Sequence, residues 1–154
     1  MEKTMLKSDS KKNRCDYLYE KYSNIMSVRN DPILKSGIID VHIHNIHPSK
    51  LDYGEAAEYV LMVSVRALKI SQSYNKEDFI AYCDMREATI KNFSYKLIKY
   101  LDTIMEKALP YRLGVSYFIL ERTSKYAILY QAFYKMAQKI IHPETVAKFK
   151  LIYK

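Results

Sequence analysis

The chain has no tryptophan, three glycines, four prolines and two cysteines in 154 residues. Cys15 and Cys83 are too few to make a disulfide framework. Cys83 sits in an apolar, strand-like run and reads as a buried free thiol, with the reducing cytosol as the default compartment. There is no Gly-rich phosphate loop. No apolar run approaches the roughly 20 residues that span a bilayer. The first residues carry Lys3, Lys7, Lys11, Lys12 and Arg14 without the apolar centre of a secretory signal. Neither a Ser-His-Asp order nor paired carboxylates on a plausible scaffold occur. The expectation is a protein that is not an enzyme and needs no cofactor.

Apolar residues make up 49% and charged residues 27%, which is globular composition. The length suits one domain with a substantial core. The net charge of +8 favours acidic partners: anionic lipid headgroups, phosphoinositides or nucleic acid. Basic residues are spread along the chain, with no dense block beyond the N-terminal segment. That ranks a membrane surface above nucleic acid. The expected localisation is cytoplasmic and peripheral to membranes. Fifteen tyrosines are unusual; Tyr is amphipathic and serves equally as pocket lining, core or interface.

Residues 1–13 read as a disordered basic tail. A helix is expected from Asp16 to about Arg29, stopped by Asp31-Pro32. Alternation from Ile38 to Ile46 reads as a strand. Asp52 with Glu55 resembles a capping box, opening a helix from about Tyr53 to Ile70. Phe79 to Cys83, ending at Asp84, reads as a buried strand. Ser94 can cap a helix whose Leu97, Ile98, Leu101, Ile104, Met105 and Ala108 form one apolar stripe, with Pro110 ending it. Val115 to Leu120 is another strand. A helix from Thr123 or Ser124 to about Ile141 and a strand from Phe149 to Tyr153 complete the chain. Strands alternating with helices imply an α/β fold with mostly parallel pairing.

Four segments carry a family resemblance. Val41 to Leu51 looks like a first strand and its "DPSK" turn, and Ile80 to Asp84 like an "xxxDLxG" strand end. Pro110-Tyr111-Arg112-Leu113-Gly114 resembles a "PxRxG" corner. Pro143, Thr145, Val146 and Lys148 match a "DPxTVxK" turn closing the helix from Ser124. In this order they resemble the CRAL-TRIO domain of phosphatidylinositol, tocopherol and retinal transfer proteins, over roughly residues 36–153. The chain departs from the family at Glu87, at Leu120-Glu121-Arg122 and at Tyr111, where phosphatidylinositol binders carry an acid. The resemblance implies a mixed, mostly parallel sheet with helices and a gate helix over a lipid pocket. It divides the chain into a tail (1–13), a remnant of an N-terminal helical lobe (14–35), and a lipid-binding domain (36–154) that reads as C-terminally truncated.

The function implied is binding a hydrophobic lipid, phosphoinositide-like or tocopherol- or retinoid-like, and transferring it between membranes. The alternative is a vestigial fold acting as a protein-interaction module without ligand. The helix from Ser124 is apolar on most of its circumference and resembles the gate. Its Tyr130, Phe133, Met136 and Ala137, with Ile80, Tyr82, Tyr117 and Ile119 alternating on the strands, are the expected pocket. Thr145 and Lys148, three apart, share a helical face, and with Arg112 resemble the family's headgroup site. The partners implied are a hydrophobic lipid and a transient membrane surface with anionic lipids, without nucleic acid. Asp40, His42 and His44 resemble a D-x-H-x-H metal motif, and a strand would place them on one face. That chemistry draws further ligands from a barrel of roughly 250 residues, so no metal is expected.

Overall fold

The computed structural model describes residues 13–109 and 112–154. The expected tail lies outside the described residues but for Asn13, and so do Pro110 and Tyr111 of the expected corner. A first helix, α1, runs over residues 13–22. Its Leu18 and Tyr22 are buried, and the Tyr22 ring lies 5.4 Å from that of Tyr59.

The helix expected to reach Arg29 stops at Tyr22, and Met26–Asp31 is a strand, β1. Met26 and Val28 pack against the core while Arg29 is exposed, a period of two. β1 pairs antiparallel with β2 (Ser36–His42), from Met26↔Val41 to Asp31↔Ser36. Asp31 and Pro32 therefore start a hairpin turn. The Asp31 carboxylate accepts from the Ile33 and Leu34 N–H groups, and Lys35 takes a φ of 51°. The segment expected as a helical-lobe remnant thus supplies one helix and one edge strand.

β2 is shorter than expected. After His42 the chain enters a 3₁₀ turn, Ile43–Asn45, and Ile43 is buried. The Asn92 carboxamide donates to the carbonyls of His44 and Ile46 and holds this bend. The long helix α2 (Tyr53–Gln72) follows, with Asp52 accepting from the Glu55 N–H as expected. Then come β3 (Phe79–Asp84), α3 (Tyr95–Ala108), β4 (Leu113–Leu120), α4 (Ser124–Ile140), the single turn α5 (Pro143–Val146) and β5 (Phe149–Tyr153). The Ser94 hydroxyl accepts from the Leu97 N–H, as the sequence predicts.

The sheet order is β1-β2-β3-β4-β5, with β1 antiparallel and the rest parallel. Neighbouring strands share a phase. Val41, Cys83 and Phe118 point to one face; Asp40, Tyr82 and Tyr117 point to the other. The first face meets the helices, in a core joining Ile39, Val41 and Phe118 to Tyr59, Val63, Tyr130 and Phe133. α2 lies on β2 at Gly37, where a Cβ would stand 2.0 Å from the Ala67 carbonyl oxygen. The Ser71 hydroxyl accepts from the Gly37 N–H at the same place, so that buried donor is paired. Among the described residues, no helix is long and apolar enough to cross a membrane.

Candidate ligand cavity

α3 is packed unlike its neighbours. Of its 14 residues only Leu97 is buried. Ile98, Leu101 and Met105 instead face a half-open cavity of about 300 Å³ between α3, α2 and the sheet. The floor is Met26, Ile39, Val41, Phe79 and Ala81, from the helix-covered face of the sheet. Val60 and Ser64 of α2 form one wall. Ile98, Leu101, Met105 and Leu109 form the roof. One floor residue is Ala81, beside Ile39, whose single methyl takes up less space than a larger residue would.

One end of the cavity is polar, lined by Asp102, Glu106, Arg112, His142, Thr145 and Lys148. Three segments supply these groups. Asp102 and Glu106 come from α3 and are turned toward the His142 turn. His142 Nε2 lies 3.7 Å from Glu106 Oε1, and its Nδ1 accepts from the Glu144 N–H. Burial raises the pKa of Asp102, the nearby charge of Glu106 adds to this, and the His142 backbone N–H opposes it. Thr145 and Lys148 come from α5 and the residues after it, with Val146 buried as the anchor. Arg112 enters ahead of β4. It spends one nitrogen on Glu77, at 2.7 Å from the carboxylate and 3.2 Å from the carbonyl. A guanidinium carries five donors, so others remain.

The expected headgroup residues, Arg112, Thr145 and Lys148, therefore do line one cavity end. The expected pocket residues do not line the cavity. Tyr130, Phe133 and Ala137 are buried in a filled core under α4, and Met136 packs against it. The Phe118 ring lies 5.2 Å from Phe133 and 4.8 Å from Phe149, and Phe93 lies 5.3 Å from Phe133. Ile80, Tyr82, Tyr117 and Ile119 belong to the opposite face of the sheet from the helices. There Tyr82 stacks on Tyr117 at 5.1 Å, with the Arg29 guanidinium 5.5 Å from the Tyr82 ring. Two differences separate the expected pocket from this cavity. The helix over the cavity is α3, not α4, and the strand phase is shifted by one residue. Ile80 and Tyr82 are as apolar as Phe79 and Ala81, so alternation alone could not choose the phase. The stripe on α3 was the usable signal, because an apolar stripe without a buried partner must face a space or a ligand.

The D-x-H-x-H motif is split by the end of β2. His42 ends the strand, His44 lies in the 3₁₀ turn, and their rings are 6.2 Å apart, edge to face. The Asp40 carboxylate is taken by Arg29, at 2.7 Å from its Nε. Among the described residues no three His, Cys, Asp or Glu side chains gather as a metal-binding group.

A sequence model of the CRAL/TRIO domain matches residues 34–154. No curated protein sequence matches the chain. Among solved structures, the crystal structure of Sfh5 is similar, with a TM-score of 0.65 at 15% identity. The match covers 85% of this chain and 48% of that one, so the chain spans about half its length. At that identity the likeness speaks for the fold.

Proposed function

Because the chain belongs to the CRAL/TRIO domain family, whose members bind hydrophobic lipids, we propose that it holds one lipid in the cavity beneath α3 and exchanges it with membranes. The observation that carries this reading is the pairing of an apolar interior with Arg112, Thr145 and Lys148 at one end. The apolar part of the ligand enters between α3 and the sheet. Its anionic end meets the Lys148 ammonium, the Thr145 hydroxyl and the free edge of Arg112. Asp102 and Glu106 would repel that end, but both are turned to His142.

Volume narrows the ligand. About 300 Å³ is the lower limit for pockets that enclose a drug-sized molecule. One acyl chain or a compact isoprenoid matches it, and a diacyl phosphoinositide would need α3 to move outward. The reading assigns no catalytic step to the protein.

The test is binding of a polyene fatty acid whose fluorescence rises on burial. Wild type should bind one equivalent. Ala81→Phe, which fills the floor, should abolish binding and leave the thermal midpoint unchanged or higher. Wild-type affinity in Ala81→Phe, with α3 intact by circular dichroism, would mean that the cavity is not the site. A chain that binds no fatty acid at all would favour the interaction-module alternative.

A further inference from the structure

The outer side of α3 has a composition of its own. Tyr95, Lys96, Lys99, Tyr100, Thr103 and Ile104 line one shallow surface depression. Tyr95 is 50% exposed, Tyr100 is 37% exposed, and Ile90, in the turn leading into the helix, is 65% exposed. Large apolar and aromatic groups left in water at this density mark a contact surface. The polar residues of this arc carry one sign of charge. The acids of the helix, Asp102 and Glu106, sit on the cavity side instead. Lys96 and Lys99 form no ion pair among the described residues, and the Lys99 ammonium stands 6.0 Å from the Tyr95 ring.

We propose that the outer face of α3 is the surface by which this protein docks on an anionic bilayer. Tyrosine rings settle at the headgroup level, and lysines flanking them are drawn to the negative surface potential. A nucleic acid would also attract the lysines, but it offers nothing to Ile104 and Ile90. The exposed part of α4 is less suited, with Ile128 as its one large, strongly exposed apolar side chain among the described residues. The same helix roofs the cavity with its other side. Docking through it brings the bilayer to the element that must move for a ligand to pass. The proposal thus deepens the lipid-site reading and rests on it for its purpose, while its test needs no ligand.

The chain lacks Trp, so a single introduced indole reports on its own position. Tyr95→Trp and, on α4, Ile128→Trp are compared on phosphatidylcholine vesicles with and without phosphatidylserine. The Tyr95→Trp emission should shift blue and be quenched by brominated acyl chains on the anionic vesicles, and the Ile128→Trp emission should not. In the Tyr95→Trp background, Lys96→Glu/Lys99→Glu should weaken partitioning about tenfold or more, whereas Lys135→Glu/Lys139→Glu, the same charge change on α4, should stay within about twofold. A shift confined to Ile128→Trp, or no shift in either, overturns the proposal. So does an equal loss in the two charge variants, which would make net charge the whole effect. So does preference of the same face for single-stranded RNA over vesicles. Fatty-acid binding measured without vesicles separates the two readings: if it persists while docking fails, only the docking surface is wrong.

Discussion

Gly37 and Lys148 carry different burdens, one architectural and one chemical. Gly37 is required by contact. Any Cβ there meets the Ala67 carbonyl, its α-carbon and its carbonyl carbon within 2.7 Å, and backbone cannot yield as a side-chain tip can. Gly37→Ala must lift α2 off β2 and break the bond to Ser71. Urea denaturation should show a loss at the upper end of about 1–3 kcal/mol, or more. Lys148 tests the polar end of the cavity. Lys148→Ala removes a charge-assisted contact and should weaken binding of a fatty acid by about 1.5–3 kcal/mol, with little effect on its neutral alcohol. Equal affinity of wild type and variant for the acid would make Lys148 an ordinary surface cation.

At the level of elements, α1 and α3 are held by opposite means. α1 is tied to α2 by a cluster around Glu55, which accepts from the Lys21 ammonium and the Tyr22 hydroxyl, while Arg14 pairs with Glu58. The Lys21 bond, helped by hydroxyl donors, lowers the Glu55 pKa from 4.5 to about 2. A depressed carboxylate contributes stability that is full above its unfolded value and is lost as it protonates. The clamp should therefore hold above about pH 4.5 and weaken as the pH falls toward 2. Glu55→Gln should flatten the stability profile in that window and leave the slope above pH 5 unchanged. An unaltered acid limb would place the acid sensitivity elsewhere. α3 is held more loosely, by Glu106 and Asp102 against His142 and by the Tyr100 ring 5.6 Å from that of Tyr53. With Leu97 alone buried, its amides should exchange with solvent faster than those of α4, whose Tyr126, Tyr130, Phe133 and Ala137 are buried in one row. Fatty acid should slow α3 selectively. Protection spread evenly over both helices would mean that ligand stabilises the fold globally rather than closing α3.

For the molecule as a whole, the asymmetry of the sheet matters most. The aromatic core under α4 and the cavity under α3 share one face, so one half of the layer supplies stability and the other supplies volume. Native mass spectrometry of the purified protein should therefore find an apolar ligand of one chain or one isoprenoid in mass, in a one-to-one complex. A diacyl phospholipid retained on the wild-type chain would show that α3 opens much further than the resting cavity.

Local events were legible in one dimension. Asp52, Ser94 and the stripe on α3 announced two helices, because a cap and a 3.6-residue period act within a few turns of chain. The parallel order of β2 to β5 followed from the alternation of strands and helices. The residues expected to hold a headgroup, Arg112, Thr145 and Lys148, came from the family resemblance, and the fold brings all three to the lining of one cavity. Long-range packing decided the rest. β1 looked helical because its strand character rests on pairing with Val41 to Ser36, which Met26 to Asp31 meet only through the turn at Pro32. The floor of the cavity went to Ile39, Phe79 and Ala81, not to Ile80 and Tyr82, because α2 seats on the face where Gly37 admits its backbone. Either phase buries similar apolar area, so that choice belongs to the contact between layers and leaves no periodic trace in the strands.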